Sequence, residues 1–313
     1  MRSIRVIKSF FKVSLSAIVN YLLKVFNPFV VYRIGNAIGD QLCMSAIVRL
    51  VDEQYSFRVI TISSYPEIFN NNPRVWKNIG VKIFSLYISR LLRFLSGPQL
   101  ENFLFKDQDK SLAEYMRSSE KNLHLVEAHS KHFHHRIKYN LIQNEIFLSQ
   151  SEVDSYIKKF NLTKPYAVIG PNSKITYTPN KQWPFDNFQK VVDKTPNIDW
   201  IQVGEKKEPL LNNVKNFVGK TNLREFFYII SRAQFVLANE GLLNHVASAF
   251  GVKSYVIQSG FSDASLARYA NTVFISSDKM CDKSPCWLLK ECGIIGKPCL
   301  SGITPKDVAK QLL

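Results

Sequence analysis

The sequence predicts an α/β protein made of two Rossmann-like domains, each built on a parallel sheet. Three observations predict it. An apolar strand runs through a glycine-rich turn into a helical pattern near residue 35, and a second series of alternating strands and helices begins near residue 166. The length of 313 residues exceeds one average domain and suggests two of roughly 130 to 150 residues each. A hydrophobic content of 46% is enough to fill two cores and excludes a disordered or collagenous chain.

Residues 1–28 read as an amphipathic helix. Ile4, Ile7, Phe11, Leu15, Ile18, Leu22 and Val25 recur at steps of three and four, while Arg5, Ser9, Lys12, Ser16, Asn20 and Lys24 trace an opposite, basic stripe. Lysines interrupt the apolar run too often for a bilayer span of about 20 residues. A helix lying in the membrane interface with its cations on lipid phosphates fits the pattern, as does a helix packed on the protein itself or on another subunit. Asn27-Pro28 ends it, because proline disfavours helical geometry in the residue before it.

The first domain is expected over 29–163. Phe29–Ile34 reads as a buried strand, Gly35-Asn36-Ala37-Ile38-Gly39-Asp40 as the turn, and Leu42, Ala46, Ile47 and Leu50 as the buried face of the following helix. Gly35 and Gly39 allow close backbone approach, and the helix N-terminus offers unpaired N–H groups. Asp40 sits where turn becomes helix, either as a helix cap or as a group pointing into the cleft beyond the strand ends. The spacing is neither a dinucleotide fingerprint nor a P-loop. Further strands are expected at Arg58–Ile62 and Val81–Leu86. Five of the six histidines fall in His124–His135, where helical spacing could place three on one face as metal ligands, as a cationic patch or as a solvated surface.

Residues 150–163 look like a polar connecting helix ending at Lys164-Pro165, and the second domain is expected over 164–313. Its strands are Tyr166–Ile169, Trp200–Val203, Phe235–Ala238 and Ser254–Gln258. Its helices lie around Phe188–Val192, at Leu223–Ser231 and at Val246–Phe250. Ligands of such sheets bind at the carboxyl ends of the strands.

The motifs in these two stretches, in their order, resemble the ADP-heptose:lipopolysaccharide heptosyltransferases of glycosyltransferase family 9. The resemblance is carried by Ile34-Gly-x-x-x-Gly39-Asp40, Lys181-x-Trp183-Pro184, Val203-Gly204-x-x-x-Glu208, Phe217-Val218-Gly219-Lys220-Thr221-Asn222-Leu223, and Glu240 to His245 followed by Ala247 and Gly251. It covers about 29–62 and 164–260. It implies a GT-B fold, two Rossmann-like domains facing across a cleft, with donor against the second and acceptor against the first. Asp40 would then be the general base for an inverting displacement that needs no metal. Lys181 would neutralise the donor diphosphate, and Ser173 would hydrogen-bond it. Glu205 or Glu208 would bind nucleoside hydroxyls, and Gly241 to His245 would cradle the diphosphate at a helix start. The family commonly has Asp-Ser/Thr-Gly-x-x-His where this chain has Glu240-Gly241-Leu242-Leu243-Asn244-His245, so a donor other than ADP-heptose is an open alternative.

Four of five cysteines, Cys281, Cys286, Cys292 and Cys299, lie in a loop-like segment with Pro285, Gly293, Gly296 and Pro298. Four thiolates so close can hold a structural zinc or iron; disulfides and free thiols are the alternatives. Some autotransporter-glycosylating relatives carry a cysteine-ligated iron in a comparable late region. No signal peptide is evident, which points to a reducing cytoplasm.

The net charge of +16 requires an anionic partner. Zinc-finger, RNP and basic-zipper patterns are missing, which argues against nucleic acid. An anionic glycolipid or glycan acceptor at the cytoplasmic face of the inner membrane accounts for the charge. The competing readings are a sugar-nucleotide epimerase and a non-catalytic, membrane-associated homologue.

Overall fold

A computed structural model describes residues 28–81, 100–104, 123–174 and 177–313. The amphipathic segment expected at the N-terminus falls outside them. Among the described residues no helix is long and apolar enough to cross a membrane.

The described residues fall into two compact units. Those up to 104, with Val126–Leu141, form the first; 123–125 and Ile142–Leu313 form the second. The expected junction at 163/164 therefore moves to 141/142. Arg224 forks onto Glu152 at 2.8 and 2.9 Å, and Asn144 donates to the His245 carbonyl at 3.0 Å; both tie the supposed connecting segment into the second unit.

The first unit holds strands β1 (Pro28–Arg33), β2 (Arg58–Ser63), β3 (Val75–Gly80) and β4 (Leu100–Asn102), all parallel, in the order β3-β2-β1-β4. β1 is central and reads as a continuous apolar run because both of its faces are covered. Helix α1 (Ile38–Gln54) buries every residue from Gln41 to Val51. β3, which was not expected, ends at Gly80; of the strand expected at Val81–Leu86, residues 82–86 lie outside the described residues. β3 borders β2 on one side and leaves Trp76 and Ile79 exposed, so it lacks the apolar pattern that marks its neighbours.

Helix α2 (Leu125–Ser130) contains only His129 of the histidine-rich stretch and ends before His132, so the expected helical face of histidines does not form. The buried carboxylate of Glu101 instead accepts the His134 backbone N–H at 2.6 Å and lies 3.4 and 3.7 Å from the ring nitrogens of His134 and His135. A buried acid needs such donors, and the chain turns to supply them.

The second unit opens with helix α3 (Gln150–Phe160), which starts at a Ser149/Glu152 capping box. Its sheet comprises β5 (Ala167–Gly170), β6 (Trp200–Gln202), β7 (Lys215–Asn216), β8 (Phe235–Asn239), β9 (Lys253–Gln258) and β10 (Thr272–Ser276), in the order β10-β9-β8-β5-β6-β7. All pairings are parallel. Helices α4 (Phe185–Lys194), α5 (Leu223–Ser231) and α6 (Leu242–Phe250) are the crossovers; short α7 (Pro298–Ser301) and α8 (Pro305–Leu312) end the chain. The core joins Ile169, Trp183, Phe188, Leu237 and Ile257 to Ile303 and Val308 from the C-terminal segment.

The strand orders carry a functional consequence. In each sheet the chain starts at a central strand, winds one way, then returns to the other side of that strand. The reversal leaves a crevice at the carboxyl ends of β1 and β4 in the first sheet, and of β5 and β8 in the second.

Candidate active site

In the first unit, the β1/β4 reversal point is occupied by an ion pair. Arg33, the last residue of β1, places Nη2 at 2.5 Å from Asp40 Oδ2, with side chains 13% and 27% exposed. Arg33 Nη1 also donates to the Phe103 carbonyl just past β4, so one guanidinium spans both strand ends. Asp40 lies in the first turn of α1, where a carboxylate gains from the helix dipole. It remains open enough to meet a ligand. His129 is buried beside the pair, and burial lowers its pKa to about 4; the Asp40 charge pulls it back up and Arg33 pushes it down. The ring is therefore neutral near pH 7.

The turn itself is fixed by Gln41. Its amide donates to Gly35 O at 2.8 Å and accepts from Ser64 N at 2.8 Å, while Gly35 N donates to Ser64 Oγ. Gly35 has φ +153°, a value side chains disfavour, so this position requires glycine. Gly39, expected in the turn, belongs instead to the first turn of α1, because the helix already begins at Ile38.

In the second unit, the β5/β8 reversal point also carries an ion pair. Lys181 Nζ lies 2.5 Å from Glu240 Oε1, with side chains 14% and 6% exposed. Glu240 follows β8 directly, and its other oxygen accepts from the Ser262 hydroxyl. The Lys181 ammonium stands over the rings of Phe261 and Tyr177, 4.9 and 5.5 Å from their centroids. Asn239 Nδ2 donates to Pro171 O at 2.7 Å, which ties the ends of β8 and β5 together. Gly241 then opens α6 with no side-chain cap, so the first N–H groups of that helix have no side-chain acceptor.

The other expected donor residues divide. Ser173 lies on the same loop after β5, and its N–H and hydroxyl both donate to Gln182 Oε1, at 2.8 and 3.1 Å. Glu208 is half-buried; one oxygen accepts the Glu205 N–H at 2.9 Å and the other the Asn172 amide at 2.8 Å. Glu205 is exposed. His245 is buried in α6, its Nδ1 at 2.6 Å from the Tyr269 hydroxyl, and Asn144 donates to its carbonyl. It acts as a link inside the unit. Sequence reasoning missed Arg33, Ser262, Phe261 and Tyr177.

Residues 105–257 match the family model for glycosyltransferase family 9 (heptosyltransferase). Solved structures share the fold. A family 9 glycosyltransferase from Veillonella parvula has a TM-score of 0.66 at 14% identity, over 90% of this chain and 94% of that one. The E. coli ADP-heptose lps heptosyltransferase II has a TM-score of 0.60 at 15% identity, over 90% and 97%. The iron-containing dodecameric glycosyltransferase TibC from enterotoxigenic E. coli has a TM-score of 0.64 at 13% identity, over 91% and 75%. None of the curated proteins is significantly similar to this chain. The stretch 105–257 is thus similar to the glycosyltransferase family 9 domain, and the fold of the chain is that of the heptosyltransferases. Its two parallel α/β units are those of the GT-B fold.

The cysteines that follow the matched stretch converge. Cys281, Cys286, Cys292 and Cys299 line one cavity of about 290 Å³ together with Asn180 and Phe261. Burial pushes the Cys286 thiol above its ordinary pKa, and its three neighbours raise it further. All four are free thiols. Among the described residues no three His, Cys, Asp or Glu side chains stand in a metal-holding arrangement. The donor set suits a thiophilic ion, but the thiols must draw together to hold one.

Proposed function

We propose that this protein is a family 9 glycosyltransferase that moves a heptose or related sugar from a nucleotide-sugar to a cell-envelope glycan or lipopolysaccharide-type acceptor, with inversion at the anomeric carbon. The observation that carries the reading is the acid–base pair at each strand-order reversal, Arg33–Asp40 in one sheet and Lys181–Glu240 in the other.

In this reading Asp40 takes the proton from an acceptor hydroxyl as that oxygen bonds to the anomeric carbon. The bond from that carbon to the diphosphate breaks on the opposite face, and the electron pair leaves with the nucleoside diphosphate. Lys181 turns from Glu240 to the diphosphate as its charge grows, in a site dry enough for one cation to matter. The uncapped start of α6 at Gly241 gives backbone N–H groups to the same oxygens. Ser173 adds a hydroxyl once Gln182 yields, and Glu205, the freer of the two acids, meets nucleoside hydroxyls. These steps use no metal.

ADP-heptose is the favoured donor because the similar E. coli heptosyltransferase II uses that sugar nucleotide by its name. Glu240, where the family commonly has aspartate, keeps a different donor as the second reading. The charge of +16 supports an anionic acceptor and a peripheral position on the cytoplasmic face of the inner membrane, reached through residues 1–28. The four cysteines support a structural zinc or iron ion, to be checked by elemental analysis of the purified protein and of Cys286→Ser and Cys292→Ser.

The test is calorimetric titration with a panel of nucleotides and nucleotide-sugars, repeated on Lys181→Ala. Micromolar binding of ADP or ADP-heptose that is weakened at least about tenfold in the variant supports the reading. Preference for a uridine or guanosine nucleotide keeps the mechanism and replaces the donor. Binding of none of them overturns it.

A further inference from the structure

The cysteine-bearing segment grips the donor site from two sides. Asn180, the residue before Lys181, is 4% exposed, and its amide group points away from the site. Its Nδ2 donates to the carbonyls of Leu288 and Lys290, both at 2.7 Å, and its Oδ1 accepts the Cys292 N–H at 3.1 Å. Thr178, at the start of the same 3-10 turn, donates to Leu288 O at 2.9 Å. On the other side Cys286 N donates to Gly260 O at 2.9 Å and Trp287 N to Phe261 O at 2.8 Å. The Phe261 and Trp287 rings meet at 5.5 Å, and Phe261 is the ring under the Lys181 ammonium. Trp287 holds φ +53°, a conformation an aromatic residue keeps only where its surroundings enforce it.

We infer that Asn180 is a positioning residue through which the segment carrying the four cysteines holds Lys181 where the donor diphosphate needs it. The argument rests on the proposed role of Lys181. A lysine is a point charge on a long flexible stem, so its aim depends on its backbone. Here that backbone is one residue from an amide whose three hydrogen bonds all end on 288–292. The wall opposite is held by the same segment at 286–287. Two of the thiols therefore sit on the residues whose N–H groups make the grip, Cys286 and Cys292. The cysteine segment reaches the chemistry by fixing Lys181 and touches no reacting atom.

The experiment is a thermodynamic cycle read by calorimetric titration with ADP, with thermal midpoints measured alongside. The variants are Asn180→Ala, Lys181→Ala and the double substitution. Asn180→Ala should weaken ADP binding about tenfold, roughly the loss of one hydrogen bond from the charged Lys181. In the Lys181→Ala background the same change should have no further effect, because nothing is left to position. Equal weakening in both backgrounds would show a general structural role and overturn the inference, as would wild-type binding by Asn180→Ala. Asn180→Asp provides the second variant if alanine prevents folding. It is isosteric and keeps the acceptor for Cys292 but loses both donors, so the same non-additivity is expected. Weak binding by Lys181→Ala together with normal binding by both Asn180 variants removes this inference alone. Normal binding by Lys181→Ala removes the donor-site reading with it.

Discussion

Lys181 and Glu240 neutralise each other across 2.5 Å, so the crevice between β5 and β8 presents a closed charge pair in place of a bare cation. An incoming diphosphate has to win Lys181 from a carboxylate that Ser262 also holds. Glu240→Gln keeps the shape and removes the competitor. ADP should then bind about five- to tenfold tighter, the effect of roughly 1 kcal/mol released from one partly buried pair. Calorimetric titration of the two proteins measures it, and equal or weaker affinity in the variant would show that the pair does not open for the ligand.

Arg33 holds Asp40 by one nitrogen and the Phe103 carbonyl by another. Asp40→Asn should lower kcat by about 10²- to 10⁴-fold, the usual contribution of a positioned base. Arg33→Gln should cost about tenfold, because the acid stays but loses its orientation. Neither change should alter ADP affinity. Steady-state rates paired with titrations give the split, and a loss of ADP binding in either variant would argue against it.

Acid should unfold the protein in defined windows. His124 and His129 are buried and neutral, with pKa values lowered by burial to about 3 and about 4. The unfolded chain takes up protons at these histidines below about pH 6.5, while the folded one does not. Stability is therefore complete above that pH and falls as pH drops toward each folded value, by about 1.4 kcal/mol per pH unit for each histidine. Glu152 adds a lower window: its bond with Arg224 brings it to about 2, and its contribution is lost between about 4.5 and 2. Urea unfolding at pH 4 to 7 should show the upper slope, and His124→Gln or His129→Gln should each flatten it.

The packing behind Lys181 can be probed separately. Phe188 is fully buried, edge-on to Trp183 at 4.9 Å, and the Trp183 indole donates to Ile303 O. Phe188→Ala should destabilise by about 3 to 5 kcal/mol. Chemical denaturation measures the loss; a change below about 1 kcal/mol would mean that the core refills the space.

Much of the second unit was legible because its strands are buried on both faces. The strands expected at Phe235–Ala238 and Ser254–Gln258 have apolar centres, Val236–Ala238 and Tyr255–Ile257, and Leu223–Ser231 follows an Asn222/Glu225 capping box. α8 was missed although Thr304, Pro305 and Asp307 spell its start. β3 left no such signal, since a strand whose Trp76, Lys77 and Ile79 are exposed among the described residues has no buried face to pattern. Asp40, Lys181 and Glu240 were singled out by motif, but the side chains they pair with were not. Arg33 ends an apolar strand with nothing to distinguish it from a surface cation. Ser262 reaches Glu240 from 22 residues away, and only the fold reveals that approach. The same holds for the place of each pair, because strand order is not written in local pattern.

The central position of β5 also dictates when the second unit can come into being. Its neighbour on one side, β8, lies well downstream, and Asn239 reaches back 68 residues to Pro171. On a translating ribosome at about 5 to 20 residues per second, β5 waits several seconds for that partner. Val308, in α8 and downstream of every strand of the sheet, is itself part of the core around Phe188. The apolar faces of β5 and α4 thus stay open until Val308 has been made, and a chain stalled before it would present them to chaperones.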